Sequence, residues 1–221
     1  MKIKQISEHI WSVQSWILIP ITVWLVADKQ GLTLVDAGVS PMANGIVNEI
    51  ERLGRGPLQR ILLTHGHSDH TGALSKILKH HQVPIYAHER EIPYMEGDLP
   101  YPRRKKAQKT VEKHCVQPLD EMNGKFNPIG DLTPYFTPGH SPGHVVYFHE
   151  QDNILLSGDL FTSKKGALHR PMPMFTGDMA EAVRSAAIVD QLKPTRLEVC
   201  HGQSVFLPAD QLSDYLKANT I

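Results

Sequence analysis

Between Leu63 and Ala73 the chain reads Thr64-His65-Gly66-His67-Ser68-Asp69-His70-Thr71-Gly72, so three imidazoles and a carboxylate fall within six residues. They follow directly on Arg60-Ile61-Leu62-Leu63, which reads as a buried strand. That junction constrains the fold more than any other feature. Imidazole nitrogen and carboxylate oxygen are the donors that hold zinc, iron or manganese, and the strand must end where they begin. His65 and His67, two apart at a fraying strand end, can converge on one ion. Asp69 and His70, in the turn that follows, can face a second. The alternative, a solvated His-rich turn, does not explain why the cluster follows an apolar run.

The same junction recurs downstream. Thr137-Pro138-Gly139-His140-Ser141-Pro142-Gly143-His144 follows a strand over Leu132 to Phe136. Ser157-Gly158-Asp159 follows Asn153-Ile154-Leu155-Leu156, and Cys200-His201-Gly202 follows Thr195-Arg196-Leu197-Glu198-Val199. Each is an apolar strand running into a Gly-bearing loop with a metal-binding side chain at its exit. In layered α/β proteins, ligand sites gather at such strand ends.

These four runs, in this order, resemble the metallo-β-lactamase superfamily, most of all its glyoxalase II and acyl-homoserine-lactone lactonase branches. The resemblance extends from about Ile10 to His201. It implies an α/β fold, the four-layer αβ/βα sandwich with a dinuclear metal site at one edge. It further implies that His65, His67 and His140 hold one metal, that Asp69, His70 and His201 hold the second, and that Asp159 bridges them. The expected cofactors are two divalent ions, zinc first, with iron or manganese as alternatives. A hydroxide bridging them would attack an ester, thioester or lactone carbonyl, with Asp69 as the catalytic residue steering the proton. The runner-up readings are a mononuclear iron oxidoreductase resembling the persulfide dioxygenases and a phosphoesterase. The complete second ligand set argues against the iron oxidoreductase.

Two departures bear on substrate. The lactonases carry a tyrosine three residues after the bridging aspartate, where this chain has Thr162. The chain ends 20 residues after His201 (201 to 221), so the helical domain that binds the glutathione thioester in glyoxalase II is expected to be absent.

Composition fits a globular enzyme: 41% of residues are hydrophobic and 21% charged. Lysine plus arginine equals aspartate plus glutamate at 23 each, which argues against a nucleic-acid binder. The expected partner is a small-molecule substrate, without nucleic acid or membrane. Ser12, Gln14, Ser15, Pro20 and Thr22 interrupt the apolar stretch from Ile10 to Ala27, which reads as two strands with a break near Pro20. The first residues lack the apolar core of a secretory signal, so a cytoplasmic location is expected. Two cysteines, Cys115 and Cys200, do not make a disulfide framework.

One domain over 1–221 is the simplest organisation. Ser40-Pro41 opens a helix whose Ile46, Val47, Ile50 and Leu53 are helically spaced before Gly54. A second helix carries Ala73, Leu74, Ile77 and Leu78, a third runs from about Met179 to Leu192 behind an Asp178/Glu181 capping box, and a fourth spans Pro208 to Lys217. The segment 88–127 breaks this rhythm with Pro93, Pro100, Pro102, Pro118 and the run Arg103-Arg104-Lys105-Lys106. It reads either as a solvated insertion or as a lid that selects substrate.

Several neighbours carry two readings each. Cys200 should point away from the metals if strand alternation holds and His201 faces them, which makes it a small buried residue rather than a ligand. His144 is read as packing beside the site, and Asp36 as either a partner that orients a ligand or a turn residue. His169 is read as a surface residue over a substrate-binding one, and Tyr147 as core. Tyr94 and Tyr101 are candidate phenol donors. Leu168, Met172, Met174 and Phe175 are candidate apolar walls of the pocket.

Overall fold

The computed structural model describes residues 1–219, so Thr220 and Ile221 of the expected 1–221 unit lie outside the described residues. The chain begins as antiparallel strands. β1 (Lys2–Gln5), β2 (Ile10–Ile17), β3 (Ile19–Asp28) and β4 (Gly31–Val35) pair in order. The expected break near Pro20 falls instead at Leu18, which takes φ 66° so that Ile17 can pair Ile19. Pro20 sits inside β3 without cost, because β4 pairs β3 only from Trp24 onward and the missing N–H faces no partner strand.

From β4 the sheet turns parallel. After a short 3-10 turn at Ser40–Met42, α1 (Ala43–Leu53) leads to β5 (Leu58–Leu62), and Gly54 closes the helix in the left-handed conformation. The expected second helix is two single turns, α2 (Ser68–Thr71) and α3 (Leu74–Ile77), before β6 (Ile85–Ala87). α4 (Ile92–Met95) precedes β7 (Val116–Pro118), which completes a seven-stranded sheet in chain order.

A small hairpin, β8 (Glu121–Met122) and β9 (Lys125–Phe126), leads into the second sheet. There β10 (Leu132–Phe136), β11 (Val145–His149) and β12 (Ile154–Leu156) form an antiparallel meander. The chain then makes the hairpin β13 (Thr162–Lys164) and β14 (Ala167–His169), followed by α5 (Met179–Ser185) and α6 (Ile188–Leu192). The single helix expected over 179–192 is split because Ala186 and Ala187 bond three residues back, to Val183 and Arg184, which tightens the chain between the halves. β15 (Arg196–Glu198) returns parallel to β12, β16 (Val205–Phe206) pairs β15, and α7 (Pro208–Asn219) follows.

Strand alternation explains the layers. In β11, Val145 and Tyr147 join the core shared with the first sheet, whereas Val146 and Phe148 join a second core with α5, α6 and α7. In β12, Ile154 and Leu156 face the first core and Leu155 the second. Both faces of these strands are covered, so they are apolar at nearly every position. The result is the four-layer αβ/βα sandwich. Among the described residues no helix is long and apolar enough to cross a membrane.

Candidate metal centre

His65, His67 and His140 converge from two sheets. His65 and His67 lie just past β5, and His140 lies in the loop between β10 and β11. His67 Nδ1 is 3.0 Å from His65 Nε2 and 3.1 Å from His140 Nε2. Their neighbours fix which nitrogens carry protons. Thr64 Oγ1 donates to Asp36, so it accepts from His65 Nδ1–H. Thr176 Oγ1 donates to the Met172 carbonyl, so it accepts from His140 Nδ1–H. Both rings therefore present bare Nε2 atoms to one point. Burial holds His65 and His140 well below the ordinary imidazole range, and His67 down to about 4, so all three are neutral and fit to ligate.

Asp69, His70 and His201 form the second group. His70, at the end of α2, gives Nδ1–H to Asp36 at 2.7 Å, and His201 gives Nδ1–H to the Pro20 carbonyl at 2.8 Å. Each again turns Nε2 inward; both Nε2 atoms are buried and make no well-formed hydrogen bond, and His201 Nε2 lies 3.0 Å from Asp69 Oδ2. Asp36 is thus an orienting partner: fully buried, at φ 59°, it ties His70 to the Thr64 backbone and hydroxyl.

Asp159 stands between the groups. Its carboxylate lies 3.4 Å from His140, 3.4 Å from His201 and 3.5 Å from His70, with Oδ1 unpartnered. His144 steadies it by accepting from the Asp159 backbone N–H at 3.2 Å, which uses the Nε2 lone pair and leaves His144 a positioning role. Burial works against charge on His70 and His201, yet Asp36 foremost, with Asp69 and Asp159, raises His70, and Asp159 foremost, with Asp69, raises His201, both well above the ordinary range. Burial also opposes ionisation of Asp69, but His70 and His201 outweigh it and hold Asp69 down to about 2. Converging lone pairs, orphaned buried donor atoms and surplus negative charge fit divalent cations.

The insertion is stitched to this centre. Glu91, wholly buried, accepts from Gly66 N–H (2.9 Å), Tyr101 O–H (2.8 Å), Ser141 O–H (2.9 Å) and Gly143 N–H (2.7 Å). It therefore clamps the His65/His67 loop, the His140 loop and the insertion together. Gly66 is required there, because a Cβ would lie 2.1 Å from Met95 and 2.4 Å from the Tyr101 hydroxyl. Met95 enters the main core and Tyr101 is buried, so the segment is not merely solvated; residues 102–109 are its longest wholly exposed run. Arg103 latches that part to the carbonyls of Pro173 and Thr176. Nothing in the sequence around Glu91 signals its role, since its partners lie 10, 25, 50 and 52 residues away.

Above the centre is a cavity of about 350 Å³. His67, Asp69, Asp159 and His201 form its floor, Ile19, Met172 and Phe175 its apolar wall, and Arg104 and Lys106 a basic rim. Leu168 packs into the second core and Met174 is exposed, so neither joins this wall. Tyr147 is core, donating to the Leu63 carbonyl. Tyr101 lies edge-on to His67, but its hydroxyl is committed to Glu91, and Tyr94 stacks on it. His169 is exposed beside α7, away from the metal cavity, and Thr162 donates to the Arg170 carbonyl. Cys200 is fully buried in the first core, as a small structural residue would be, yet it does not point away from the site. Its sulfur lies within 4.8 Å of the donor atoms of Asp69, His70 and His201. β15 ends at Glu198, so the two-residue alternation no longer operates at Cys200 and His201.

Comparisons with known proteins agree with this geometry. Residues 16–201 match the family described as the metallo-beta-lactamase superfamily. The chain is 38% identical over 220 residues to the probable metallo-hydrolase YybB of Bacillus subtilis, covering 98% of both. It is 29% identical to a hydroxyacylglutathione hydrolase of Marinomonas sp. over 153 residues, 68% of this chain and 49% of that one. The solved structure of TTHA1623 in a di-iron-bound form is 25% identical with a TM-score of 0.68, covering 89% of this chain and 94% of that one.

Proposed function

Since the chain belongs to the metallo-beta-lactamase superfamily, we propose that it is a dinuclear metal-dependent hydrolase that opens the ester, thioester or lactone carbonyl of a small, anionic molecule. One observation carries the two-metal reading: the Asp159 carboxylate lies between a complete three-histidine group and a complete Asp69/His70/His201 group. The completeness of the second group favours this over a mononuclear iron oxidoreductase. The relatives' names, a metallo-hydrolase and a hydroxyacylglutathione hydrolase, support acyl-transfer chemistry.

His65, His67 and His140 would hold one ion, and Asp69, His70 and His201 the other, with Asp159 shared. Zinc is the first choice for such imidazole and carboxylate donors, with iron or manganese as alternatives. Bound divalent ions supply a water nucleophile activated at neutral pH and a Lewis acid for the carbonyl oxygen. Asp69, ionised and the most exposed member of its group, reaches the cavity floor, where a carboxylate oxygen takes up the nucleophile's proton and returns it to the leaving group. Ile19, Met172 and Phe175 pack an acyl chain and exclude water, and Arg104 and Lys106 bind the anionic end. The exposed stretch 102–109 then acts as the substrate lid of a single 1–221 domain. We place the reaction in the cytoplasm, on a small molecule, with no nucleic acid or membrane partner.

The test pairs elemental analysis after zinc loading with a panel of lactone, thioester, ester, phosphoester and β-lactam substrates. The expectation is two ions per chain, turnover of a carbonyl substrate, and a loss of at least ~100-fold in Asp69→Asn. Saturation at one ion, with oxygen uptake on a persulfide, would replace this reading by the oxidoreductase. Turnover confined to phosphoesters would replace it by a phosphoesterase.

A further inference from the structure

We propose that Cys200 Sγ is a fourth protein donor to the ion held by Asp69, His70 and His201, and that it makes this site prefer zinc or cobalt over manganese. The inference rests on the dinuclear reading above and goes beyond it, because the ligand set implied by resemblance contains no sulfur. Three observations carry it. The sulfur lies within 4.8 Å of one donor atom from each of Asp69, His70 and His201, and Cys200 is completely buried. The Nε2 atoms of His70 and His201 are aimed into the same space; His70 Nε2 is buried without a hydrogen bond, and His201 Nε2 has only the Asp69 carboxylate, 3.0 Å away, beside it. The Cys200 backbone is held from both sides: its N–H donates to the Gly158 carbonyl at 3.0 Å, one residue before Asp159, and its carbonyl accepts from Thr22 N–H at 3.1 Å.

That double tether sets the side chain. Once β15 has ended, the backbone bonds to Gly158 and Thr22 orient residue 200, and the Pro20 carbonyl orients His201. Both side chains of the Cys200-His201 pair therefore serve one point. When an ion binds, the thiol proton leaves to solvent and the sulfur donates a lone pair, with no change of oxidation state. Thiolate is a soft ligand that suits zinc and cobalt, whereas manganese favours oxygen donors. Among the described residues no cysteine joins the three-histidine group, so the two positions differ in chemistry.

Cobalt reads this directly, since thiolate bound to cobalt(II) gives a near-ultraviolet charge-transfer absorption that imidazole and carboxylate do not. Full-length protein loaded with two cobalt ions is expected to show that band. Cys115→Ser should retain it, because Cys115 lies in the insertion, outside the ligand groups. Cys200→Ser should bind cobalt without the band, and its preference for zinc over manganese should fall about tenfold or more. If Cys200→Ser does not fold, the band in Cys115→Ser still decides, since Cys200 is then the only thiol in the chain. Two bound cobalt ions without a band would overturn the assignment and leave the dinuclear reading standing. Failure to bind a second cobalt at all would overturn the dinuclear reading itself.

Discussion

Glu91 is a buried carboxylate with no salt-bridge partner among the described residues. Burial raises its pKa, and the four hydrogen bonds it accepts work the other way. Replacing it by glutamine puts an amide N–H₂ where an acceptor is needed, so two of the four donors lose their partner. Each buried orphan costs about 1–3 kcal/mol. Because those donors belong to the loops carrying His65, His67 and His140, Glu91→Gln is expected both to melt earlier and to bind zinc about tenfold more weakly. Thermal unfolding and competition with a chelator measure the two effects. An earlier melt with unchanged zinc affinity would make Glu91 a packing residue only. Asp36 is the counterpart in the other group. Its place before Gly38 in the sequence allowed a plain turn role, and only the 2.7 Å contact with His70 shows which role it has.

At the scale of elements, the insertion does two jobs. Its buried part, through Tyr101 bound to Glu91 and Thr110 bound to the Gly66 carbonyl, braces the metal loops, while its exposed part supplies Arg104 and Lys106 to the cavity. Excising Glu96 to Gln108 would remove Tyr101 with the lid and confuse the two roles. The double substitution Arg104→Gln, Lys106→Gln isolates the second: KM for an anionic substrate should rise about 3- to 10-fold, as for screened charges, with kcat and metal content unchanged. An equal effect on a neutral substrate would refute the basic rim.

His88, just beyond β6, joins the insertion to the sheet. It stacks on Phe136 at 4.4 Å and accepts the Arg90 N–H through Nδ1. Burial, then Arg90, lowers it to about 4. In the unfolded chain it protonates near its ordinary 6.5, so its contribution is present above that value and is lost as pH falls towards 4. The difference in unfolding free energy between wild type and His88→Asn should therefore shrink between about pH 7 and pH 4.5. A constant difference in urea titrations would contradict this.

Across the whole molecule, the centre is where the two sheets are held together. β4, β5, β10, β12 and β15 each end at it, and it gathers Asp36, Asp69 and Asp159 with four inward-facing Nε2 atoms. Bound ions then stabilise the folded sandwich by mass action, about 2.7 kcal/mol per site at a hundredfold excess over Kd. For a chain of this length that corresponds to a melting shift of roughly 5–10 °C per site. Chelation is expected to lower the melting temperature by at least that much, and zinc to restore it; a melt indifferent to both would separate the metals from the fold.

What the sequence by itself determined follows from local rules. Apolar runs ending in His, Asp and Gly marked β5, β10, β12 and β15 and placed metal-binding side chains at their exits, because strand periodicity and donor chemistry are both written in adjacent positions; the division of seven of those side chains into two ligand sets came from the family resemblance. Tertiary structure decided everything that depends on distant segments meeting. Glu91 acquires its role only when four donors far apart in the chain converge on it. The hairpin breaks at Leu18 rather than Pro20 because β4 leaves that end of β3 unpaired. Cys200 faces the site although alternation says otherwise, because past Glu198 its backbone is oriented by bonds to Gly158 and Thr22 and no longer by a strand.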